Sequence, residues 1–185
     1  ILATPALHPR RGPRHSPIVA VVLTNGDVDH VAGLLNLRES QPFTLYATGV
    51  ILQVLASSPI FNVLNPEFVR RDRLTLEQPV GLDGGATIVP FAVPGKVPLY
   101  LEGQTDRLDT AAFAGDALGL EIAPAGTTSP RVVYLANCAR LDATVIDRVA
   151  GADVLLMDGT LWSDDEMIVQ GVGSKTGARM AHVSM

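Results

Sequence analysis

Strand-like and helix-like segments alternate along the first third of the chain. Residues 18–24, IVAVVLT, are apolar and largely β-branched, as is typical of a strand buried on both faces. A helical pattern at 31–40 follows, then a strand-like segment at 43–48 and a second helical pattern at 50–57 that Pro59 is expected to end. This β-α-β-α order predicts a layered α/β domain.

The pattern changes from Phe68 onward. Residues 69–76, 86–95 and 98–103 are short strand-like segments interrupted by Pro and Gly, which favours a more antiparallel sheet. Residues 104–116, which lie between the strands, are interpreted as a surface loop or flap.

Alternation returns toward the C-terminal end. Residues 117–137 are predicted to form a hairpin around a Gly-Thr-Thr-Ser-Pro turn, followed by a helix near 142–151 and a strand at 153–160. With 185 residues, of which 47% are hydrophobic, the chain is about the size of one domain with a substantial core. Polar residues gather where the predicted strands end, which is where layered α/β folds usually place their sites.

Composition excludes several classes of function. The formal net charge is −5, and Arg10, Arg11 and Arg14 form the longest basic group, so the sequence does not predict nucleic-acid binding. Cys138 is the single cysteine, which excludes a disulfide framework and a thiolate zinc cluster within the chain. Because there is neither an apolar run of ~18 residues nor a signal-peptide pattern, we expect a cytoplasmic protein that does not bind membranes.

Four polar residues follow the first predicted strand within six positions: Asn25, Asp27, Asp29 and His30. Burying carboxylates costs free energy unless something pairs with them. Helix N-capping by Asp27 or Asp29, a hydrogen-bond network, and a bound metal are three explanations that the residues leave open. Carboxylate oxygens and imidazole nitrogens bind metals at about 2.0–2.2 Å, so Asp29 and His30 are candidate ligands.

Residues 24–34, TNGDVDHVAGL, resemble the motif of the metallo-β-lactamase superfamily, in which a strand leads into T-H-x-H-x-D-H and a helix. In this resemblance Asn25 and Asp27 stand where the family has the pair that holds its first metal. Asp29 and His30 match the pair that holds the second metal. Asn137, in YLANCAR, lies near the place of a bridging aspartate.

The sequence is more similar still to one branch of that superfamily, the pyrroloquinoline quinone (PQQ) biosynthesis protein B family. The segments that carry this resemblance, in order, are LTNGDVDHVAGLLNLRESQPFTLYAT, VPGKVPLYLE, GADVLLMDGTLWSDDEMI and GVGSKTGARMAH. The resemblance implies a single metallo-β-lactamase-like layered αββα domain over residues 1–185. A glycine-rich N-terminal region with cysteines and a C-terminal His-Ile-Asn-Asn stretch of the family are not present, so the sequence from Ile1 to Met185 is interpreted as a fragment.

The resemblance also implies a metal and a reaction. Asp29, His30 and one distant histidine would form a two-histidine, one-carboxylate set, which leaves positions on Fe(II) open for oxygen and substrate. Asp27 is a further candidate ligand, and zinc is an alternative to the expected Fe(II). The implied reaction is iron-dependent hydroxylation of the tyrosine ring of a glutamate-tyrosine-derived precursor of PQQ. The expected partner is therefore a small peptide-derived or quinone-like molecule.

Two other functions stay open. One is a non-catalytic carrier of PQQ or its precursor, whose ligand binding Asp29→Ala would leave unchanged. The other is a zinc hydrolase, in which the metal lowers the pKa of bound water to about 7; Asn25 and Asp27 are poor replacements for the histidine pair that such an enzyme uses. A homo-oligomer is a further expectation that the sequence does not decide.

Asp158, His182 and Lys96 complete the set of candidate site residues. Asp158 ends the apolar run DVLLM, and His182 resembles a Gly-His proton donor of related phosphodiesterases, with Ala181 in place of the glycine. Both are predicted to be catalytic, by moving a proton or orienting substrate. Lys96 is predicted to bind a substrate carboxylate. The structural alternatives are a turn aspartate, a packed histidine and a surface lysine.

Other polar patterns are interpreted as structural. Asp164, Asp165 and Glu166 are expected to form a solvated helix start. Cys138 is expected to be a buried small apolar residue. Residues 171–177, GVGSKTG, lack the spacing of a phosphate loop.

The candidate residues predict a particular geometry. Asp29 and His30 are expected to lie side by side, with a metal weakly held or absent, because two ligands on one turn fix only one side of an ion. Asp158 and His182 are expected to face the same pocket.

Overall fold

Two β-sheets with short helices between their strands make up the computed structural model, which describes residues 4–12, 15–96, 98 and 116–185. The strands in this part of the chain are β1 (Ala20–Val22), β2 (Phe43–Thr48), β3 (Val69–Leu74), β4 (Val80–Leu82), β5 (Ala86–Ala92), β6 (Leu118–Pro124), β7 (Val132–Leu135) and β8 (Val154–Met157). The helices are α1 (Val28–Val31), α2 (Gly49–Ser57), α3 (Ala143–Val149), α4 (Glu166–Val169) and α5 (Gly177–Met180), with 3₁₀ segments at Pro5–Leu7, Ala32–Leu37 and Pro59–Val63.

The first sheet has the order β1-β2-β3 and is parallel throughout. The central strand β2 coincides with the predicted segment 43–48 and is buried at every position. The prediction of a more antiparallel arrangement from Phe68 onward is wrong for β3, which runs parallel to β2 from Phe43↔Val69 to Thr48↔Leu74. The reason is the crossover through α2, which returns the chain to the end of the sheet where β2 began.

The first predicted helix differs from the observed one. Instead of a helix over 31–40, α1 begins at Val28 and gives way to a 3₁₀ segment at Ala32. Gly33, which has low helix propensity, lies at this change. The second predicted helix is confirmed as α2, whose start is capped by the hydroxyl of Thr48.

The second sheet has the order β4-β5-β6-β7-β8. Its first four strands are antiparallel, so the hairpin predicted over 117–137 is confirmed, and β8 adds to β7 in parallel. The close pairing of Phe91 with Gly119 requires glycine, because a Cβ at Gly119 would lie 2.3 Å from the Phe91 ring. The helix predicted near 142–151 is confirmed as α3, with the Asp142 carboxylate accepting from the Val145 N–H at 3.0 Å.

The two sheets meet at the end of β1. Asn25 forms an isolated antiparallel bridge with Ala117, and the Leu118 N–H donates to the Thr24 carbonyl at 2.8 Å. The turn after β1 is therefore attached to the start of β6. The predicted strand at 98–103 and loop at 104–116 lie outside the described residues, apart from Pro98 and Asp116.

Strand β8 is an edge of the second sheet and is poorly covered. Val154, Leu155 and Leu156 are 44%, 44% and 51% exposed although all three are large and apolar. Consecutive residues of a strand point to opposite faces, so both faces of β8 are open. Among the helices of the described residues, none has the length and apolar character needed to span a membrane.

Candidate functional site

The polar turn after β1 is shaped by Asn25. Its side-chain oxygen accepts a hydrogen bond from the Asp27 N–H at 2.9 Å, which forms an Asx-turn. The Asp27 carbonyl then accepts from the N–H groups of His30 and Val31, each at 3.0 Å, and this begins α1. Asn25 therefore orients the turn through its own side chain.

The Asp27 carboxylate pairs with a lysine from a distant part of the chain. Lys96 Nζ lies 3.4 Å from Asp27 Oδ2, and each side chain is only 14% exposed. Asp27 occupies the N-cap position of α1 but makes no side-chain cap hydrogen bond there. Of the explanations that the sequence left open, N-capping by the Asp27 side chain is not observed, and the contact with Lys96 fits a hydrogen-bond network.

Asp29 and His30 lie next to each other on α1. Asp29 Oδ2 is 3.8 Å from His30 Nε2, with the aspartate side chain 77% exposed and the histidine 21%. Among the described residues, no three His, Cys, Asp or Glu side chains are grouped so that they could hold a metal ion. The two side chains are adjacent, as predicted, and their role as metal ligands stays a prediction.

Asp158 and His182 form a second pair. Asp158 directly follows β8, and its Oδ2, which is shielded from solvent, lies 3.3 Å from His182 Nδ1. The Thr160 hydroxyl is 3.5 Å from the same nitrogen. The side chains of Asp158 and His182 are largely buried, so their interaction is screened less than an exposed ion pair.

Charges on both sides of the site act on His182. Its pKa is raised, chiefly by the side-chain interaction with Asp158, while partial burial acts in the opposite direction. The charge of Lys96 lowers the pKa of His182 and that of Asp29 raises it. The two pairs and the lysine therefore belong to one electrostatic environment.

The backbone before His182 is held in an unusual conformation. Ala181 ends α5 in the left-handed region, with φ 65° and ψ 35°, and is fully buried. The His182 N–H donates to the Gly177 carbonyl at 2.9 Å. Space at Gly177 is also tight, because a Cβ there would lie 2.8 Å from the His182 carbonyl oxygen. These contacts fix the position from which the imidazole reaches Asp158.

The acidic run 164–166 lies at a helix start as predicted, with Asp165 at the N-cap of α4 and Glu166 in its first turn, but Asp164 has a further role. Asp164 Oδ1 accepts from the Ala178 N–H at 2.7 Å, and its carbonyl accepts from the Gly177 N–H at 2.7 Å. Asp164 therefore holds α5, the helix that leads to His182. This supporting role was not predicted from the sequence. Its partner is more than ten positions away, so no local pattern identifies it.

Two amide side chains each carry a buried polar atom whose partner is not found in the described part of the chain. Asn25 Nδ2 and Asn137 Oδ1 are buried and have no hydrogen-bond partner among the described residues. A bound molecule or water can satisfy such groups. Cys138, next to Asn137, is fully buried as predicted, and burial raises the pKa of its thiol.

Comparison with known proteins places the chain in a family. The Beta-lactamase superfamily domain family matches residues 1–185, the whole chain. Coenzyme PQQ synthesis protein B from Xanthomonas oryzae pv. oryzae (strain MAFF 311018) is 48% identical over 185 residues, and its counterpart from Methylobacterium sp. (strain 4-46) is 51% identical. In both cases the alignment covers 100% of this chain and 60% of the relative.

Solved structures agree with this result. The crystal structure of Zn²⁺-bound PqqB from Methylobacterium extorquens matches with a TM-score of 0.91 and 48% identity, over 100% of this chain and 60% of that one. A diphosphatase of the PhnP family shares the fold alone, with a TM-score of 0.54 and 22% identity over 78% of this chain and 48% of its own.

These comparisons confirm the resemblance found in the sequence and the metallo-β-lactamase-like α/β fold. The chain spans 60% of the length of the relatives it matches. The family match over the whole chain, together with the two sheets that meet at the polar turn, shows that the chain belongs to the Beta-lactamase superfamily domain family.

Proposed function

We propose that the chain takes part in the synthesis of coenzyme PQQ, as the names of its relatives indicate for those proteins. Identity of 48–51% along the whole chain supports this role. The zinc-bound relative supports metal binding within the same fold.

The reaction that we propose is metal-dependent hydroxylation of the tyrosine ring of a small glutamate-tyrosine-derived precursor. One atom of O₂ replaces a ring C–H with C–OH, and the other leaves as water with two electrons and two protons from an external reductant. The observation that carries it is the adjacency of Asp29 and His30 on α1, supported by the contact of Asp158 with His182, whose pKa the charge of Asp29 also raises. Asp29 and His30 would hold the ion from one side, with Fe(II) preferred to zinc because this reaction needs a redox-active metal. When bound, the iron supplies the chemistry that activates oxygen.

The other side chains have defined roles in this proposal. His182 exchanges a proton with the substrate. Asp158 orients the imidazole ring of His182 and favours its charged form. Lys96 contributes a positive charge that attracts a substrate carboxylate. The buried amides of Asn25 and Asn137 are candidate contacts for the polar groups of the precursor.

The test is product formation by the full-length protein. Anaerobically loaded Fe(II) protein is mixed with the precursor, oxygen and an external two-electron reductant such as ascorbate, and mass spectrometry measures the addition of oxygen to the ring. Asp29→Ala and His30→Ala are expected to abolish the product, whereas Asp83→Ala, an exposed carboxylate between β4 and β5, is the matched control. Lack of product when iron occupancy is verified would contradict the hydroxylation.

A carrier is the second candidate, favoured by the incomplete set of metal ligands among the described residues. It predicts that PQQ or its precursor binds equally well to the native protein and to Asp29→Ala. Calorimetric titration separates the two functions, since the hydroxylase proposal requires the metal pair for turnover and the carrier does not.

The zinc found in the relative favours a hydrolase as a third candidate. The pairing of Asp27 with Lys96 argues against it, because that carboxylate is engaged by an ammonium group. Ester, lactone and phosphodiester probes test this candidate directly. Hydrolysis at a rate that follows added zinc would support it.

A further inference from the structure

Lys96 and Asp27 form an ion pair that is largely shielded from solvent, which is uncommon for a lysine. Both side chains are 14% exposed, and Lys96 Nζ is 3.4 Å from Asp27 Oδ2. A lysine ammonium is strongly hydrated, so removing it from water is costly unless a carboxylate compensates the charge. The partners are 69 positions apart, so the fold itself brings them together.

Two further carboxylates belong to the polar groups around Lys96 and Asp27. Asp29 is two residues from Asp27 on the same turn, and Asp158 contacts His182, whose pKa responds to the charges of both Lys96 and Asp29. Carboxylates held close together repel each other unless a cation lies between or beside them. The ammonium group of Lys96 reduces this repulsion with a single positive charge and forms no coordination bonds.

We propose that Lys96 is a built-in cation of this site, which keeps Asp27 from coordinating a metal and restricts divalent-cation binding to the side of Asp29 and His30. Asp27 is then the counterion of Lys96 and not a metal ligand. The inference concerns the site of the proposed function, but it rests on the ion pair and not on the reaction.

Replacing Lys96 should change the binding of a metal in a defined direction. Lys96→Met keeps the length of the side chain and removes its charge, so the Asp27 carboxylate loses this counterion and a metal can compete for it beside Asp29. Lys96→Arg keeps the charge and is the matched control. Groups next to a metal commonly change its affinity by roughly 10–100-fold, and we expect Lys96→Met to bind Zn²⁺ at least about tenfold more tightly than the native protein.

Equilibrium dialysis of the full-length protein against Zn²⁺ measures both affinity and stoichiometry. In Lys96→Met we expect tighter binding or an additional equivalent of zinc, which a second substitution, Asp27→Asn, removes. Lys96→Arg should bind zinc as the native protein does. Native affinity and stoichiometry in Lys96→Met would overturn the proposal.

A second measurement tests the proposal without Lys96→Met, in case that variant does not fold. In the native background, Asp27→Asn should leave zinc affinity nearly unchanged, whereas Asp29→Asn should weaken it by roughly tenfold or more. Equal losses in these two variants would make Asp27 a metal ligand and overturn the proposal. Because zinc alone is the probe, this outcome is independent of whether the protein hydroxylates a precursor.

Discussion

The pairing of Asp158 with His182 gives the protein a pH-dependent contribution to stability. The folded-state pKa of His182 is raised above the value near 6.5 of an unperturbed histidine, so the charged imidazole is favoured by folding. This stabilisation is complete below the unfolded pKa and is lost as pH rises through the folded pKa.

Asp158→Asn should therefore lower the free energy of unfolding more at about pH 6 than at about pH 9. Urea unfolding of the native and Asp158→Asn proteins across this range measures the difference. Asp83→Asn, at an exposed turn, should show a difference that does not change with pH. A native advantage that grew with pH would contradict the assignment.

Ala181 offers a second test at a single residue. A left-handed conformation costs a residue with a Cβ about 1–2 kcal/mol, and glycine avoids this cost. Ala181→Gly also removes a buried methyl group and gives the unfolded chain more freedom, so the net change in the free energy of unfolding should be under about 1 kcal/mol. Ala181→Val should destabilise by more than about 2 kcal/mol, because a β-branched side chain tolerates this conformation poorly.

Ala178, in the exposed face of α5, is the matched control for Ala181. Ala178→Gly should destabilise by about 1 kcal/mol, which is the ordinary cost of glycine inside a helix. Thermal unfolding of the variants gives the comparison. Equal losses at positions 178 and 181 would mean that the left-handed conformation carries no strain.

At the scale of elements, the crowded position in β6 limits what the second sheet can accommodate. A Cβ at Gly119 would lie 2.3 and 2.6 Å from two atoms of the Phe91 ring and 2.8 Å from Leu135 Cδ2. Gly119→Ala should destabilise the protein by about 1–3 kcal/mol through overpacking. Adding Phe91→Leu should recover part of this loss.

Gly81, in β4, is the control for Gly119, because nothing lies within 4 Å of the Cβ that would be added there. Gly81→Ala should change the free energy of unfolding by less than about 0.5 kcal/mol. Chemical unfolding measures both variants. A large loss in Gly81→Ala would show that strand geometry, and not the Phe91 ring, explains the cost.

Sequence patterns predicted single elements better than their directions. The segment 43–48 could be placed because its residues are mostly apolar, aromatic or β-branched, which is typical of a strand buried on both faces as β2 is. The direction of β3 could not, because it depends on where the chain leaves α2 and not on the residues of β3. The start of α1 was missed for a local reason, since the Asx-turn of Asn25 begins the helix three residues earlier than predicted.

For the molecule as a whole, the exposed strand β8 is a surface open to association. Within the described residues it is an edge of the second sheet that carries the exposed side chains of Val154, Leu155 and Leu156, and such an edge readily adds another strand. The chain of residues 1–185 should therefore self-associate with increasing concentration. Leu155→Lys should reduce this association in sedimentation velocity experiments.

Ile60 provides the control for this surface prediction. It is 56% exposed but lies in the 3₁₀ segment Pro59–Val63, beside the other sheet. Ile60→Lys should leave self-association unchanged. If both lysine substitutions reduced association equally, added charge and not the edge strand would be the cause.

The residues of the candidate site could be identified from the sequence more readily than the contacts between them. The ligand-like residues of the turn could be identified because they are adjacent and of the right chemical type. That Lys96 pairs with Asp27 could not be inferred, because its position follows from the way the two sheets meet. Asp158 and His182 were predicted to face the same pocket, and they lie 3.3 Å apart, but no local pattern reveals that Asp164 anchors the helix α5 that leads to His182.

The bridge between Asn25 and Ala117 also determines when the site forms during folding. It joins positions that are far apart in sequence, and contacts of this kind form late because the intervening loop must first be closed. The local Asx-turn can form early, but its attachment to the start of β6 is completed only when the two sheets join. An ion or substrate that binds at this turn will bind to the native state alone. Ligand binding will therefore slow unfolding of the whole molecule and not of the turn by itself.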